Sequence, residues 1–257
     1  MDFVQYHTQD RIAYITLNRP DKRNALNEQV VRELKEAFRN ASQDENAKVI
    51  VLKAAGKVFC AGADLEYLQT LQNNTYEQNL ADSTHLKELF EIIYTHPKVV
   101  IAQIHGHAIA GGAGLATVCD FSFAVPEAQF GYTEVKIGFI PAIVSVFLLR
   151  KIGEGRAKEL LLSGDLISAQ KACEYGLINE IVSAENLENR VKEFALHLCK
   201  TNSATSLQIT KAMIAQVQTM PVAEALQFAA NQNALARQTA DCKKGIASFL
   251  EKKPLEW

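Results

Sequence analysis

The sequence lacks an excess of positive charge. It has 27 lysine and arginine residues against 29 aspartate and glutamate residues, for a formal net charge of −2. A surface that binds a phosphate backbone needs a basic excess, so the composition excludes nucleic acid as the main partner. No apolar run reaches the length of a membrane span, and the first residues lack the charged-then-apolar pattern of an export signal. We therefore expect no membrane partner.

Cysteine is scarce and unpaired. The five cysteines are an odd number without the spacing of a disulfide framework, which predicts reduced thiols and a cytoplasmic location. His105 and His107 lie two residues apart, but no carboxylate or cysteine is spaced to complete a tetrahedral metal site with them. We expect no metal, and structural roles for both histidines.

The most informative stretch that is present covers residues 99–120, VVIAQIHGHAIAGGAGLATVCD. It starts as a continuous apolar run, which is typical of a strand buried on both faces. It then turns at Gly111 and Gly112 and continues as a small-residue segment that predicts a buried helix. Glycine lets the backbone approach a ligand, and the free N–H groups of a helix start favour an anion or an oxygen that becomes negative.

A second stretch, residues 49–65, has the same organisation. An apolar strand starts at Val49, a glycine-containing corner reads FCAGADL, and a helix is predicted to begin near Asp64. The two strands start 50 residues apart (99 − 49), at Val49 and Val99. A repeated strand–strand–helix unit predicts a coil of stacked turns rather than one flat sheet.

Periodicity and capping residues predict the other elements. We expect a strand over 11–17, a helix over 28–40 that begins after Asn27, and a strand over 121–125. The polar segment 66–94 is predicted to be a surface helix with a mobile part, placed to cover a site. From about Leu187 the pattern is helical, and its last two segments are 206–217 and 221–250.

Five motifs together resemble the crotonase superfamily, the enoyl-CoA hydratases and isomerases. They read FCAGADL at 59–65, HAIAGGAGLA at 107–116, CD at 119–120, FGYTEVKIGFIP at 130–141 and ACEYGLI at 172–178. The resemblance covers essentially the whole chain and implies an α/β fold: a spiral of ββα turns followed by a helical trimerisation region, often paired into hexamers. It implies a core over 1–190 that carries the site, and a region over 191–257 for oligomerisation and active-site cover.

The resemblance also implies a substrate and a set of site residues. The substrate is an acyl-CoA thioester, and no cofactor is implied beyond the coenzyme A that the substrate carries. An oxyanion hole is implied at the backbone N–H groups of Ala63 and Gly111, where two donors stabilise the charge that a thioester oxygen gains in an enolate. The substrate-binding positions are Ala61, Ala63, Asp64, Leu65, Glu66, Gly111, Gly112, Gly114 and Pro141, with Phe249 and Lys252 reaching a neighbouring subunit's CoA.

The sequence departs from the family pattern at one carboxylate. Family hydratases use two glutamates; one is matched by Glu134, and the position of the other is Gly114. Two carboxylates suit hydration, whereas moving a double bond from the 3,4 to the 2,3 position needs only one base. Retention of Glu134 alone therefore favours an isomerase or a single-carboxylate hydratase. If Glu134 faces a dry cleft, desolvation should favour its neutral form.

Other functions stay open at this point. Within the family, these are methylglutaconyl-CoA hydratase and a decarboxylase, and the alternative from another class of function is a non-catalytic CoA-binding scaffold. Residues 112–117 begin like a dinucleotide-binding fingerprint, but Thr117 replaces its third glycine and Asp120 ends the segment too soon for a crossover helix. Cys60 has no histidine in sequence reach, so we expect a small core residue rather than a nucleophile.

Overall fold

A computed structural model describes residues 2–257, in which strands alternate with helices up to residue 181 and helices follow. The strands are β1 (Val4–Gln9), β2 (Ile12–Leu17), β3 (Val49–Ala54), β4 (Val99–Ile104), β5 (Ala108–Ile109), β6 (Phe121–Ala124), β7 (Gln129–Gly131), β8 (Ile167–Ser168) and β9 (Glu180–Ile181). The helices are α1 (Glu28–Gln43), α2 (Leu65–Leu71), α3 (Tyr76–Tyr94), α4 (Gly111–Val118), α5 (Ala142–Ser163), α6 (Ala169–Glu174), α7 (Leu187–Thr201), α8 (Ala204–Val217), α9 (Val222–Ala236) and α10 (Ala240–Leu250). Two 3-10 helices span Pro20–Lys22 and Thr133–Ile137.

The main sheet has six strands in the order β1-β2-β3-β4-β6-β9. Only the β1–β2 pair is antiparallel; the other neighbours run parallel. Every residue of β2 and β4 is buried, because elements cover both faces of the sheet. β1 was not predicted, since VQYHTQ is polar and only alternate residues pack inward at this sheet edge.

The predicted spiral of ββα turns is present. β5, β7 and β8 form a second sheet, so β4, β5 and α4 make one turn that contributes one strand to each sheet. Val49 pairs with Val99, and a parallel bridge joins Cys60 to Ala108. The 50-residue repeat therefore places its two units side by side, and the two glycine corners become neighbours. The α/β fold class is confirmed.

The helix after β2 confirms its predicted start. The Asn27 side chain accepts the Val30 N–H at 2.9 Å, which caps α1. The helix runs to Gln43, three residues beyond the predicted end at 40 (43 − 40). Its buried apolar residues are Val30, Val31, Leu34, Ala37, Phe38 and Ala41.

Two helical predictions need correction. Residues 66–94 contain two helices, and Leu89, Phe90 and Ile93 of α3 are buried, so the second half of α3 belongs to the core rather than the surface. Residues 221–250 form α9 and α10 rather than one helix, because the Thr239 side chain accepts the Cys242 N–H and begins a new one.

The first two C-terminal helices, α7 and α8, pack against the main sheet. α7 packs against β3, β4 and β6, and α8 packs against β4. The predicted division at residue 190 falls inside α7 and stays a prediction. In residues 2–257, no helix combines the length and the apolar character that crossing a membrane requires.

Candidate active site

The first corner of the site is the loop between β3 and α2. The Leu26 N–H donates to the Gly62 carbonyl at 2.7 Å, and the Asp64 N–H donates to the Leu26 carbonyl at 2.8 Å. In this parallel bridge Leu26 uses both of its backbone groups, so the N–H of Ala63 points to the opposite side. Ala63 is exposed, whereas Gly62 and Asp64 on either side are buried. The loop therefore presents one backbone donor to its surroundings.

The second corner is the junction of β5 and α4. The Ala110 N–H donates to the Gly131 carbonyl at 2.7 Å, which attaches the corner to β7. Ala110 has φ 50° and ψ −123°, and such backbone strain costs about 1–3 kcal/mol in a residue with a Cβ atom. The ψ angle of Ala110 orients the next peptide group. The strained residue therefore sets the direction of the Gly111 N–H.

The two corners are in contact, and glycine is required for that contact. A Cβ atom on Gly62 would lie 2.8 Å from the Ala110 Cβ and 3.6 Å from the Gly111 nitrogen. A Cβ atom on Gly112 would lie 2.2 Å from the Cys60 carbonyl oxygen. Neither position leaves room for a side chain, so the close approach of the two backbones depends on both glycines.

Two backbone donors at these corners have no hydrogen-bond partner. Among residues 2–257, no acceptor is bonded to the N–H of Ala63 or of Gly111. The His107 carbonyl, one turn before Gly111, already accepts the N–H groups of Phe59 and Cys60. Adjacent, preorganised N–H donors can stabilise an oxygen that gains negative charge during a reaction.

Glu134 lies in the 3-10 helix that follows β7. Its Oε2 atom is buried and has no hydrogen-bond partner among the described residues. Burial raises the pKa of its carboxyl group, and a backbone N–H bond offsets only part of that rise. Tyr132, two residues before Glu134, is fixed to α4, because its buried hydroxyl forms a hydrogen bond with Thr117 Oγ1 at 2.5 Å. A carboxyl group shifted in this direction is suited to proton transfer.

The raised pKa of Glu134 makes stability depend on pH. The unfolded chain ionises this carboxyl near 4.5, whereas the folded chain keeps the proton to higher pH. The protonated Glu134 carboxyl group therefore contributes to the free energy of unfolding. This contribution is fully present below pH 4.5 and is lost as pH rises through the folded-state pKa of Glu134. We expect the free energy of unfolding of the wild type to fall, relative to Glu134→Gln, as pH rises from 4.5. Urea denaturation of both proteins over that range checks this, and a constant difference would contradict a desolvated carboxyl.

Gly114, where the resemblance predicts the position of a second carboxylate, is closely surrounded by other parts of the protein. A Cβ atom on Gly114 would lie 2.3 Å from Val144 Cγ1 and 2.9 Å from Phe90 Cε1. Val144 lies on α5, which begins after the half-buried Pro141, and Phe90 lies on α3. No space is left for a carboxylate at position 114, and Glu134 stays the predicted acid and base. Contacts of Gly112 and Gly114 with substrate stay predictions, since both glycines are buried.

The other predicted binding residues fall into two groups. Ala61 is half-buried beside the first corner, Leu65 is 78% exposed, and Glu66 pairs with Lys22 at 2.5 Å on the surface. Phe249 and Lys252 are exposed at the end of α10, which packs on α8. Among residues 2–257, no backbone hydrogen bond joins these two to either corner, and a role at a neighbouring subunit stays a prediction.

The cysteine and histidine side chains near the corners are used structurally. Burial raises the pKa of Cys60 to about 12, which keeps it a protonated core thiol. His105 Nε2 lies 2.9 Å from the Gly56 carbonyl oxygen, and His107 Nδ1 accepts the Gln129 N–H at 3.1 Å.

Sequence reasoning missed three residues that shape the site. Arg19 contacts Asp64, Asn24 bonds to the loop after β3, and Ala110 holds the strained corner. Arg19 and Asn24 lie in a polar turn, where composition predicts only a surface loop. An alanine before two glycines carries no local signal of positive φ.

Comparisons with known proteins agree with this architecture. The family model described as enoyl-CoA hydratase/isomerase matches residues 7–257. A Thermus thermophilus protein named "Putative enoyl-CoA hydratase" is 41% identical over 95% of this chain and 96% of its own. A crotonyl-CoA hydratase of Syntrophomonas wolfei is 32% identical over 95% of this chain and 94% of its own. The crystal structure of an enoyl-CoA hydratase from Bacillus anthracis is 32% identical, with a TM-score of 0.90 and 98% of each chain covered.

Proposed function

Because the chain belongs to the enoyl-CoA hydratase/isomerase family, we propose that it transfers a proton at the carbon next to the thioester of an unsaturated acyl-CoA. Glu134 is the only carboxylate that acts, and the reaction passes through an enolate. The observation that carries this proposal is the pair of unbonded N–H groups at Ala63 and Gly111, together with the unpartnered Oε2 of Glu134.

The two N–H groups bind the thioester carbonyl oxygen. When the enolate forms, electrons move onto that oxygen, and both donors strengthen their bonds to it. Loss of one such donor costs about 3 kcal/mol in comparable sites. The donors are backbone atoms, so the requirement on the sequence is for small residues at both corners. Gly62 and Gly112 satisfy it, because a side chain on either would force the corners apart.

Glu134 suffices for the isomerisation of a 3-enoyl-CoA. Its carboxylate takes a proton from C2, and the C2–H electrons extend the conjugated system to the thioester oxygen. The carboxylic acid then returns a proton at C4, the 3,4 double bond becomes a 2,3 double bond, and the oxygen loses its charge. One base on one face completes both transfers. The filled space at Gly114 favours this route, because no second carboxylate can be placed there.

A single-carboxylate hydration is the second candidate, and the names of the related hydratases favour it. Glu134 would take a proton from water, the hydroxide would add at C3, and electrons would move to the thioester oxygen. The same carboxylic acid would then protonate C2. One group must serve twice in this route, whereas two carboxylates would divide the work.

The proposed partner is the substrate itself. Coenzyme A arrives as part of the acyl thioester, so we propose no separate cofactor. We also propose a homotrimer or a hexamer, in which Phe249 and Lys252 reach the CoA of a neighbouring subunit. Large apolar side chains on the C-terminal helices support an assembly, since Val222 is 77% exposed and Phe249 is 83% exposed.

Two absorbance assays test the proposal. Crotonyl-CoA loses its conjugated-enoyl absorbance when it is hydrated, and a 3-enoyl-CoA gains that absorbance when it is isomerised. We expect the second signal to be the larger, over one or more of several chain lengths. Neither signal, with acyl-CoA still bound, would contradict the enzyme and leave the CoA-binding scaffold; a signal confined to branched or carboxylated substrates would point to the methylglutaconyl or decarboxylase alternative.

A further inference from the structure

Arg19, in the turn after β2, makes contacts that the proposed reaction does not use. Its Nη1 atom lies 2.5 Å from Asp64 Oδ2 and donates to the Ala25 carbonyl at 3.3 Å. Its guanidinium group also lies over the Phe3 ring, 5.2 Å from the centroid. The two paired side chains are only 12% and 5% exposed. A pair buried this deeply is unlike a surface ion pair, because removing one partner strands a charge.

Asp64 divides its two carboxylate oxygens between separate tasks. Oδ1 accepts the N–H groups of Glu66 at 2.8 Å and Tyr67 at 3.2 Å, which caps α2. Oδ2 is left for Arg19. Burial alone would raise the pKa of Asp64, but the bonds from Arg19 and the helix outweigh it and lower the pKa. Asp64 directly follows Ala63, so Arg19 acts on the residue next to the proposed donor.

Asn24 attaches the same turn to the other side of the loop. Its Nδ2 donates to the carbonyl groups of Ala55 and Val58, both at 2.8 Å, and its Oδ1 accepts the Arg19 N–H at 2.9 Å. It is 1% exposed and has a φ of 54°. The turn therefore holds the loop on both sides of Ala63, which is itself bridged to Leu26.

We infer that Arg19 and Asp64 are positioning residues, whose ion pair holds the Ala63 N–H in line with the Gly111 N–H. The inference rests on the proposed function, because it takes Ala63 as an oxyanion donor. Neither side chain touches the thioester in this role. Without Arg19, the Asp64 carboxylate would be a buried charge without a partner. It would move toward solvent, and the loop that carries Ala63 would move with it. The expected loss is in the transition state, where both donors must meet one oxygen.

Kinetics of four full-length variants test the inference on the enoyl-CoA that the wild type converts. We expect Arg19→Met to lower kcat by about tenfold with little change in KM, since a small misplacement of a donor weakens only transition-state binding. Arg19→Lys keeps a charge and should recover part of the loss. Asp64→Asn keeps the helix cap but not the charge pair. The double variant Arg19→Met/Asp64→Asn should be no worse than the poorer single variant.

Arg190→Met is the matched control. Arg190 also pairs with a carboxylate, Glu180, at 2.7 Å and lies over an aromatic ring, 5.4 Å from the Phe123 centroid. It belongs to α7 rather than to either corner. Because the Arg190–Glu180 pair is more exposed than the Arg19–Asp64 pair, Arg190→Met should cost less stability, and it should leave kcat within about twofold. Equal losses of kcat in Arg19→Met and Arg190→Met would show general destabilisation and overturn the inference.

The carbonyl stretch of bound butyryl-CoA, measured by infrared difference spectroscopy, separates this inference from the proposed function. We expect the wild type to move the thioester band to lower frequency, Arg190→Met to do the same, and Arg19→Met to move it less. Equal shifts in the wild type, Arg19→Met and Arg19→Lys would overturn the positioning role and leave the oxyanion site in place. No shift in the wild type would instead contradict the oxyanion site itself.

Discussion

Glu134→Gln should lower kcat by about 10²–10⁴-fold, the range over which a positioned acid or base contributes. The substitution replaces one oxygen by an amide group of nearly the same size, so packing around position 134 is kept. What is lost is the ability to accept and return a proton. KM should change little, because the proposed backbone donors and CoA contacts do not involve the Glu134 side chain.

The control for this prediction is Glu127→Gln. Glu127 is an exposed carboxylate seven residues earlier (134 − 127), in the turn before β7. Its loss changes net charge by the same amount and leaves the proposed proton path intact. Unchanged turnover in Glu134→Gln would mean that another group is the base. Equal losses in the two variants would point to net charge rather than to proton transfer.

Butyryl-CoA binding gives a second measurement on Glu134→Gln. Because the donors proposed at Ala63 and Gly111 are backbone groups, the inactive variant should still lower the frequency of the bound thioester carbonyl. Retention of that shift together with loss of turnover would separate oxygen binding from proton transfer. Loss of both would show that the substitution disturbs the corners.

The parts of the fold that could be predicted are those with local signals. Apolar runs at Val49 and Val99, each followed by a glycine corner, predict two equivalent units, and the observed pairing of these residues confirms their stacking. The start of α1 was also predictable, since Asn27 caps it by a bond within the same turn of helix. Both signals lie within short stretches of sequence, so they can be recognised without knowledge of distant partners.

The features that could not be predicted depend on partners far apart in sequence. Arg19 and Asp64 are separated by 45 residues, and both belong to segments that composition identifies only as turns. The backbone strain at Ala110 arises where β5 meets α4, and neither Ala110 nor the residues beside it in sequence indicate it. The C-terminal half of α3 is buried, yet its first half is polar and hides the helical periodicity. The resemblance identified Gly114, but only packing shows what occupies the space around it.

Gly114→Ala should lower the free energy of unfolding by about 1–3 kcal/mol, the usual cost of overpacking a core. The added methyl group would lie 2.3 Å from Val144 Cγ1 and 2.9 Å from Phe90 Cε1, and both side chains are buried. A larger side chain fits still less well. We therefore expect Gly114→Glu to misfold or unfold rather than to gain hydratase activity. Urea denaturation measures the first effect, and the crotonyl-CoA assay measures the second.

Gly155→Ala is the matched control, because Gly155 is exposed in α5 and an added Cβ there would meet nothing within 4 Å. That substitution should leave stability equal or raise it by up to about 1 kcal/mol, since alanine favours a helix. Val144→Ala should relieve Gly114→Ala, so the double variant should be more stable than the sum of the single changes predicts. Additive losses would mean that Val144 is not the obstacle. A stable Gly114→Glu enzyme that hydrates crotonyl-CoA faster than the wild type would show that the packing around position 114 can admit a second carboxylate. The absence of that carboxylate would then follow from the residue at position 114 and not from the surrounding packing.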